Sequence, residues 1–276
     1  MSNISAAEVS RLRKTTGAGM MDCKKALQEA DGNFEKAIEL IRKKGQAVAN
    51  KRADRDATEG VVLSKINQAG NKVAMIVLNC ETDFVAKNEA FVEFADSILQ
   101  LALANNPASL DELKNLKLGD VTVGENVIEQ IGIIGEKLDL SYFSSISAPS
   151  VVSYIHPGNK LASAVGFNQE NIESQVAKDI AMQIAAMNPV AIDKEDVSQE
   201  VIDKEMEIGR DQAKREGKPE NILDKIAEGK LNKFFKENTL LNQPFVKDNK
   251  KTIKQYLQEQ NKDLTVTKFD RFGLSS

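Results

Sequence analysis

The apolar positions of the chain predict two β-hairpins, each followed by a helix. Two largely apolar stretches, 61–66 and 72–78, flank a turn-forming stretch at 67–71, a pattern typical of a hairpin. A helical period then runs over about residues 88–104. The run from 73 to 78 is apolar at nearly every position, which indicates a strand buried on both faces.

The second hairpin, at 151–162, repeats the first. Gly158-Asn159-Lys160-Leu161-Ala162 aligns with Gly70-Asn71-Lys72-Val73-Ala74, 88 residues earlier. It also leads into a helical pattern, marked by Val176, Ile180, Ile184 and Met187. Self-similarity of this kind predicts two related α+β halves with antiparallel sheets. We assign residues 59–140 to the first core half and 141–276 to the second.

Three short helices are predicted before the first hairpin. Ser5 and Glu8 form a capping box, Gly17 ends the first helix, and Met20 and Met21 start the second. The third follows the turn at 31–33, and the pattern predicts that it ends at Gly45. We assign residues 1–52 to a helical head of the ubiquitin-associated type. Residues 46–58 lack an apolar period, and we take 53–58 as the linker, its conformation left open.

Residues 193–237 predict an arm that projects from the second half. Of these 45 residues 23 are charged, too many for a core segment, and a glycine and a proline interrupt the pattern at 217–219. Thin apolar stripes on either side predict an antiparallel, coiled-coil-like helical hairpin. The alternative is a solvated helix pair that has no partner.

Composition and charge narrow the class of protein. The chain has 276 residues, 41% of them hydrophobic and 28% charged, as in ordinary globular proteins. No apolar run approaches the length of a membrane span, and no signal-peptide pattern starts the chain. Two cysteines without CxxC spacing favour a reducing, cytoplasmic location and disfavour a metal site. The head is basic, which indicates either nucleic-acid contact or a solvated helix face.

The sequence contains no recognisable arrangement of catalytic residues. His156 is the only histidine, at a hairpin turn where a general base would be exposed and unoriented. No serine or cysteine has a plausible histidine and aspartate pairing, and no metal-ligand spacing occurs. The Gly17–Gly19 connection matches neither phosphate-loop pattern. We therefore predict a binding protein, not an enzyme, with no cofactor and no nucleotide of its own.

The junction between the first hairpin and its helix carries a bulky aromatic residue. Phe84 lies beside Asp83 in a predicted loop, where it is either packed into the core or aimed at a partner. The sister junction at 169–172 has no aromatic residue, which argues against a packing role. Asn88 is the favoured N-cap of the next helix, so we expect the loop to be held stiffly. For Met20 and Met21, the alternatives are adaptable contact surface and core filling.

Three stretches resemble signatures of the bacterial elongation factor Ts family. They are Leu12-Arg13-Lys14 followed by Thr16-Gly17-Ala18-Gly19-Met20-Met21-Asp22-Cys23-Lys24-Lys25-Ala26-Leu27, then Glu81-Thr82-Asp83-Phe84-Val85-Ala86, and last Gln243-Pro244-Phe245-Val246. The resemblance extends over essentially the whole chain, in the same order and spacing. It implies a guanine-nucleotide exchange factor for the GTPase elongation factor Tu.

The resemblance also implies roles for residues. Thr82, Asp83, Phe84 and Val85 would insert into the nucleotide domain of elongation factor Tu, disturb its Mg²⁺ and phosphate-binding loop, and release GDP. The residues implied to make further contacts with elongation factor Tu are Arg13, Met20 and Met21 in the head and His156 in the second half. The arm would be the dimerisation element, with an oligomeric state that the sequence leaves open.

Two expectations complete the prediction. Family members often continue past the strand that resembles residues 268–272 into a further helix that contacts the GTPase. This sequence ends at Ser276, and we expect no such contact. The alternative function is a non-catalytic RNA-binding or scaffold protein of the translation machinery. The acidic remainder of the chain, the absence of tryptophan and the small number of tyrosines disfavour it.

Overall fold

The computed structural model describes residues 4–274, which form an α+β protein that begins with a helical head. Its helices are, in chain order, α1 (Ala6–Thr16), α2 (Met20–Glu29), α3 (Phe34–Arg52), α4 (Asp83–Ala86), α5 (Glu89–Asn105), α6 (Leu110–Asn115), α7 (Val123–Ile134), α8 (Ser174–Met187), α9 (Gln199–Arg215), α10 (Leu223–Asn238) and α11 (Ile253–Gln260). Its strands are β1 (Glu59–Ile66), β2 (Lys72–Cys80), β3 (Lys117–Leu118), β4 (Val121–Thr122), β5 (Asp139–Ser147), β6 (Ser150–Ile155), β7 (Leu161–Phe167), β8 (Pro244–Phe245), β9 (Asp248–Thr252) and β10 (Val266–Gly273).

The head starts and stops its first helix as the sequence predicts. Ser5 and Glu8 form the capping box of α1, and Gly17 ends that helix in the left-handed conformation, with φ of 69°. The three helices enclose a small core that includes Leu12, Cys23 and Leu27. The likeness of this bundle to ubiquitin-associated modules stays a prediction.

The predicted end of the third helix at Gly45 is wrong, because α3 continues through this residue to Arg52. Gly45 is buried where α3 crosses α7. A Cβ atom added to Gly132 of α7 would lie 2.6 Å from the Cα atom of Gly45. The glycine therefore serves close helix packing instead of a cap, and Arg42 pairs with Glu129 at 2.7 Å beside the crossing.

Two three-stranded antiparallel sheets form the core, and each contains one of the predicted hairpins. Their strand orders are β1-β2-β5 and β10-β7-β6. Helix α5 covers the outer face of the first sheet, where Phe91, Ile98 and Leu99 are buried. Helix α8 covers the outer face of the second, with Val176, Ile180 and Ile184 buried as the sequence predicts. Met187, at the end of that stripe, is 41% exposed.

The inner faces of the two sheets pack against each other. Met75 and Val77 of β2 meet Ala162 and Ala164 of β7 in one buried cluster. Because β2 also packs under α5, both of its faces are buried, which explains the continuous apolar run. The predicted boundary between residues 140 and 141 falls inside β5, which pairs with β2. We therefore group β5 with the first sheet.

The arm consists of α9 and α10, packed as an antiparallel hairpin. Small residues make its closest contact, since a Cβ on Gly209 would lie 3.0 Å from the Cα of Ala227. Met206 and Ile226, on the predicted apolar stripes, are only half-buried. Dimerisation through the arm stays a prediction.

A buried glutamine pair joins the base of the arm to the second half. The Gln183 amide of α8 donates to the side-chain oxygen of Gln243 at 3.1 Å. Gln243 in turn donates to the carbonyl oxygen of Glu237 near the end of α10, at 3.0 Å. The third signature stretch thus begins with a residue that connects the arm to α8.

Candidate functional site

The stretch 82–85 is predicted to be a loop, but Asp83–Ala86 form a one-turn helix, α4, so the loop prediction is wrong at this point. The Thr82 hydroxyl caps this helix by accepting a hydrogen bond from the Val85 amide at 3.4 Å. Ala86 is buried and Val85 packs against the first core, whereas the Phe84 side chain is 83% exposed. We call residues 82–86 the Phe84 turn, and its ring is presented to solvent instead of filling the core.

The predicted cap of the following helix is confirmed. The Asn88 side chain accepts a hydrogen bond from the Ala90 amide at 2.9 Å and starts α5. The Phe84 turn is therefore flanked by the buried strand β2 and by a separately capped helix. Both neighbours are elements of the first core, so the ends of the turn are fixed.

The Glu136 carboxylate holds the start of the turn. One of its oxygens accepts from the Thr82 amide at 3.0 Å, and the other accepts from the Thr82 hydroxyl at 2.7 Å. Both bonds are charge-assisted and of good geometry. Glu136 lies between α7 and β5, so this contact connects the turn to the far end of the first half.

Glu81, directly before the turn, accepts three donors. They are Arg52 at 2.7 Å, Arg55 at 3.0 Å and the Lys137 amide at 2.6 Å. Burial opposes ionisation of the Glu81 carboxyl, but these hydrogen bonds outweigh it and lower its pKa to about 2. The carboxylate thus binds the end of α3 to the root of the Phe84 turn.

Cys80, at the end of β2, is a structural thiol. Its side chain is fully buried and its sulfur donates to the carbonyl oxygen of Thr82 at 3.1 Å. Burial, together with the nearby charge of Glu136, raises the pKa of the Cys80 thiol to about 12. The residue therefore stays protonated and does not act as a nucleophile.

The turn of the second hairpin lies beside the Phe84 turn. The carbonyl oxygen of Asn159 accepts from the Val62 amide at 2.7 Å, and Lys160 pairs with Glu59 at 2.8 Å. The hydrogen bond from Lys87 lowers the pKa of Asp83, and the charge of Lys160 acts in the same direction. The hairpin turn that carries His156 therefore contacts β1, where Glu59 pairs with Cys80 at the end of β2.

His156 itself is exposed at the start of that hairpin turn. Its Nδ1 atom lies 2.9 Å from the hydroxyl oxygen of Tyr154. This contact orients the imidazole ring on the surface of the second half. The ring is exposed as the sequence predicts, whereas the contact with Tyr154 gives it an orientation that was not predicted.

The three head residues lie at the connection between α1 and α2. Met20 and Met21 are 59% and 61% exposed, so the alternative that they fill the core is wrong. Arg13 is exposed in the last turn of α1, and its carbonyl oxygen accepts from the Gly17 amide. Among residues 4–274, no hydrogen bond or ion pair joins these three side chains to the Phe84 turn.

Sequence reasoning missed the residues that hold the turn. Glu81 lies in the second signature stretch, but the resemblance implies no role for it, and the local sequence does not indicate Glu136, Arg52 or Lys160. Glu136 lies 54 residues from Thr82 along the chain. A pattern of neighbouring residues does not indicate such a partner, although Glu81 next to a buried strand end is a carboxylate that needs donors.

Two other kinds of site are absent from the described part of the chain. Within residues 4–274, no group of three or more histidine, cysteine, aspartate and glutamate residues is placed to hold a metal ion. Across the same residues, no helix has both the length and the apolar character of a membrane span.

Comparison with known proteins identifies relatives over nearly the full length. A family model described as "Elongation factor TS" matches residues 81–276. Elongation factor Ts of Porphyromonas gingivalis is 54% identical over 270 residues, covering 98% of this chain and 97% of the relative. Elongation factor Ts of Amoebophilus asiaticus is 54% identical over 270 residues (97% and 98%), and that of Christiangramia forsetii is 50% identical over 275 residues (99% and 100%). The chain therefore belongs to the elongation factor Ts family of translation elongation factors.

Proposed function

We propose that the chain is a guanine-nucleotide exchange factor that promotes release of GDP from elongation factor Tu. The observation that carries the proposal is the Phe84 ring, which is 83% exposed shortly after a largely buried strand. An exposed phenyl ring on a capped, anchored turn is available to enter a cleft of another protein.

The Phe84 turn is the element that acts on the GTPase. Thr82, Asp83, Phe84 and Val85 enter its nucleotide domain and disturb the Mg²⁺ and phosphate-binding loop, so that GDP leaves. The chain makes and breaks no covalent bond in this process, and it uses neither a cofactor nor a nucleotide of its own. The site of action is the cytoplasm, consistent with the free, buried thiols of Cys23 and Cys80.

Further contacts supply affinity for the GTPase. Arg13, Met20 and Met21 present a cation and two adaptable apolar side chains on the head. The hairpin turn with His156 faces another domain of the GTPase. These surfaces lie on both sides of the Phe84 turn along the chain, so binding through them places the turn against its target.

The free energy of burying one phenyl ring favours a division of roles between Phe84 and the other contacts. Burying one phenyl ring is worth roughly 1.5–3 kcal/mol, which corresponds to about one to two decades of coupling between nucleotide and exchange factor. By linkage, a factor that weakens GDP binding is itself bound less tightly once GDP returns. The head and the second half therefore supply affinity, and Phe84 supplies the difference between the two states.

The variant Phe84→Ala tests the proposal. We expect the GDP release rate to fall by roughly tenfold to 100-fold, because the ring contributes that coupling. Affinity for the nucleotide-free GTPase should fall by a smaller factor, since the other contacts remain. Stopped-flow release of a fluorescent GDP analogue measures the first quantity, and a binding titration measures the second.

Ile208→Ala on α9 is the matched control. Its side chain is also apolar and partly exposed, at 38%, but lies on the arm. GDP release with this variant should match that of the unaltered chain. An unaltered release rate with Phe84→Ala, or equal losses of rate and affinity, would contradict the proposed roles.

The alternative is an RNA-binding or scaffold protein that uses the basic head. A pull-down from a bacterial lysate discriminates the two. If the chain is an exchange factor, the pull-down should capture a GTPase, and added GDP should release it. If the alternative holds, the pull-down should capture RNA, and nuclease should remove it.

A further inference from the structure

We propose that Glu136 is a positioning residue for the exchange reaction, which orients the Phe84 ring through its two hydrogen bonds to Thr82. The inference rests on the proposed function, because it concerns the element that acts on the GTPase. We do not propose that Glu136 itself contacts the GTPase. It acts on exchange only through the conformation of the Phe84 turn.

The Phe84 turn needs support from outside itself. Helix α4 has four residues, and a helix of one turn does not form stably alone because nucleation is unfavourable. The exposed Phe84 ring contributes little packing to hold the turn. Val85 and Ala86 pack against the core at its C-terminal side, which leaves its N-terminal side to polar contacts.

Glu136 supplies two of those contacts, one with each carboxylate oxygen. The Thr82 hydroxyl donates its hydrogen to Glu136 at 2.7 Å and uses a lone pair to accept from the Val85 amide at 3.4 Å. Glu136 thus fixes the rotamer in which Thr82 caps the helix. The cap bond is long, so it depends on that orientation.

The segment around Glu136 is itself held in place. The next residue, Lys137, donates its amide to Glu81 at 2.6 Å. Its ammonium group donates to the carbonyl oxygens of Ala53 and Arg55, at 2.8 and 2.7 Å. Glu136 therefore links the Phe84 turn to the backbone that follows α3 and to Glu81 directly before the turn.

Orienting the ring before contact removes an ordering cost at the moment of contact. With Glu136→Ala we expect the saturating rate of GDP release to fall by about threefold to tenfold, a smaller loss than with Phe84→Ala. Affinity for the nucleotide-free GTPase should stay within about twofold, because other surfaces supply it. In the free protein, the amides of Val85 and Ala86 should exchange hydrogen faster.

A double variant separates positioning from general structural damage. If Glu136 acts through the ring, adding Glu136→Ala to Phe84→Ala slows release no further. A second pair tests the Thr82 end of the contact in the free protein, where no GTPase is present. Thr82→Val removes the hydroxyl and should speed hydrogen exchange at the Val85 and Ala86 amides as Glu136→Ala does, whereas Thr82→Ser should leave it nearly unchanged. This pair keeps the inference testable if Glu136→Ala fails to fold.

The outcomes distinguish the two proposals. Normal release with Phe84→Ala would overturn the proposed function. Slow release with Phe84→Ala but normal release with Glu136→Ala would overturn only the positioning role. An additional loss in the double variant, or equal hydrogen-exchange rates for Thr82→Val and Thr82→Ser in the free protein, would also overturn it.

Discussion

Glu81 is the residue on which three separate parts of the chain converge. Arg52 ends α3, Arg55 belongs to the connection that follows it, and Lys137 lies between α7 and β5. The Glu81 side chain is only 14% exposed, so these donors replace most of its water. An ionised carboxylate in such surroundings stabilises the fold as long as it keeps its charge.

Glu81→Gln should destabilise the protein in a pH-dependent way. Because the folded pKa is lowered to about 2, the stabilisation is complete above the ordinary pKa near 4.5 and is lost as pH falls through about 2. We expect Glu81→Gln to lower the free energy of unfolding by about 1–3 kcal/mol at neutral pH. The difference from the unaltered chain should shrink as the pH falls from 4.5 towards 2.

Urea unfolding at a series of pH values measures that difference. Glu93→Gln, at an exposed position of α5, is the control and should change stability by less than about 0.5 kcal/mol. A constant difference between Glu81→Gln and the unaltered chain throughout this pH range would show that charge on Glu81 is not the cause.

The helix crossing between α3 and α7 holds the head on the core. The contact is asymmetric. A Cβ on Gly132 would lie 2.6 Å from the backbone of Gly45, whereas a Cβ on Gly45 would meet its nearest atom, the carbonyl oxygen of Ile128, at 3.6 Å. The first distance requires the backbones to separate, and the second is an ordinary van der Waals contact.

The variants Gly132→Ala and Gly45→Ala should therefore change the free energy of unfolding in opposite directions. Gly132→Ala forces the helices apart and should lower the free energy of unfolding by about 1–3 kcal/mol. Gly45→Ala fits and gains helix propensity, so it should be neutral or stabilising by up to about 1 kcal/mol. Chemical denaturation of the two variants measures both effects, and equal losses would contradict the asymmetric contact.

At the scale of the whole molecule, two similar halves share a core and the arm projects from one of them. The bases of the arm meet at the body, where the Val190 amide donates to the carbonyl oxygen of Asn238 at 2.8 Å. The Leu240 amide likewise donates to the carbonyl oxygen of Ala191 at 2.9 Å. These two hydrogen bonds join the chain segments that precede and follow the arm.

Replacing residues 206–230 by a short glycine-serine turn should leave the body folded. The removed part packs on itself, and the bonds at Val190 and Leu240 remain. We expect the melting temperature to change by no more than about 4 °C, the effect of roughly 1 kcal/mol in a chain of this size. GDP release should be unchanged. Circular dichroism and the exchange assay measure these quantities, and loss of a cooperative transition would contradict the prediction.

The predictable parts of the fold are those encoded by neighbouring residues. The capping box at Ser5, the stop at Gly17, both hairpins and the stripe on α8 follow from local sequence and are confirmed. The sister junction, which lacks an aromatic residue, argued against a packing role for Phe84, and the ring is indeed exposed. The end of α3 did not follow from local sequence. Lysines followed by a glycine resemble a helix C-cap, but Gly45 instead packs against α7, which is far away along the chain.

The sequence by itself determined the α+β class, the duplicated hairpins, the arm and the candidate residues of the Phe84 turn, because periodicity, turns and motifs are local properties of a chain. Only the tertiary structure decided that residues 83–86 form a helical turn and that both head methionines are exposed. It also decided that Glu136 holds Thr82 across 54 residues. Such contacts depend on which elements meet in space, and no local pattern specifies that.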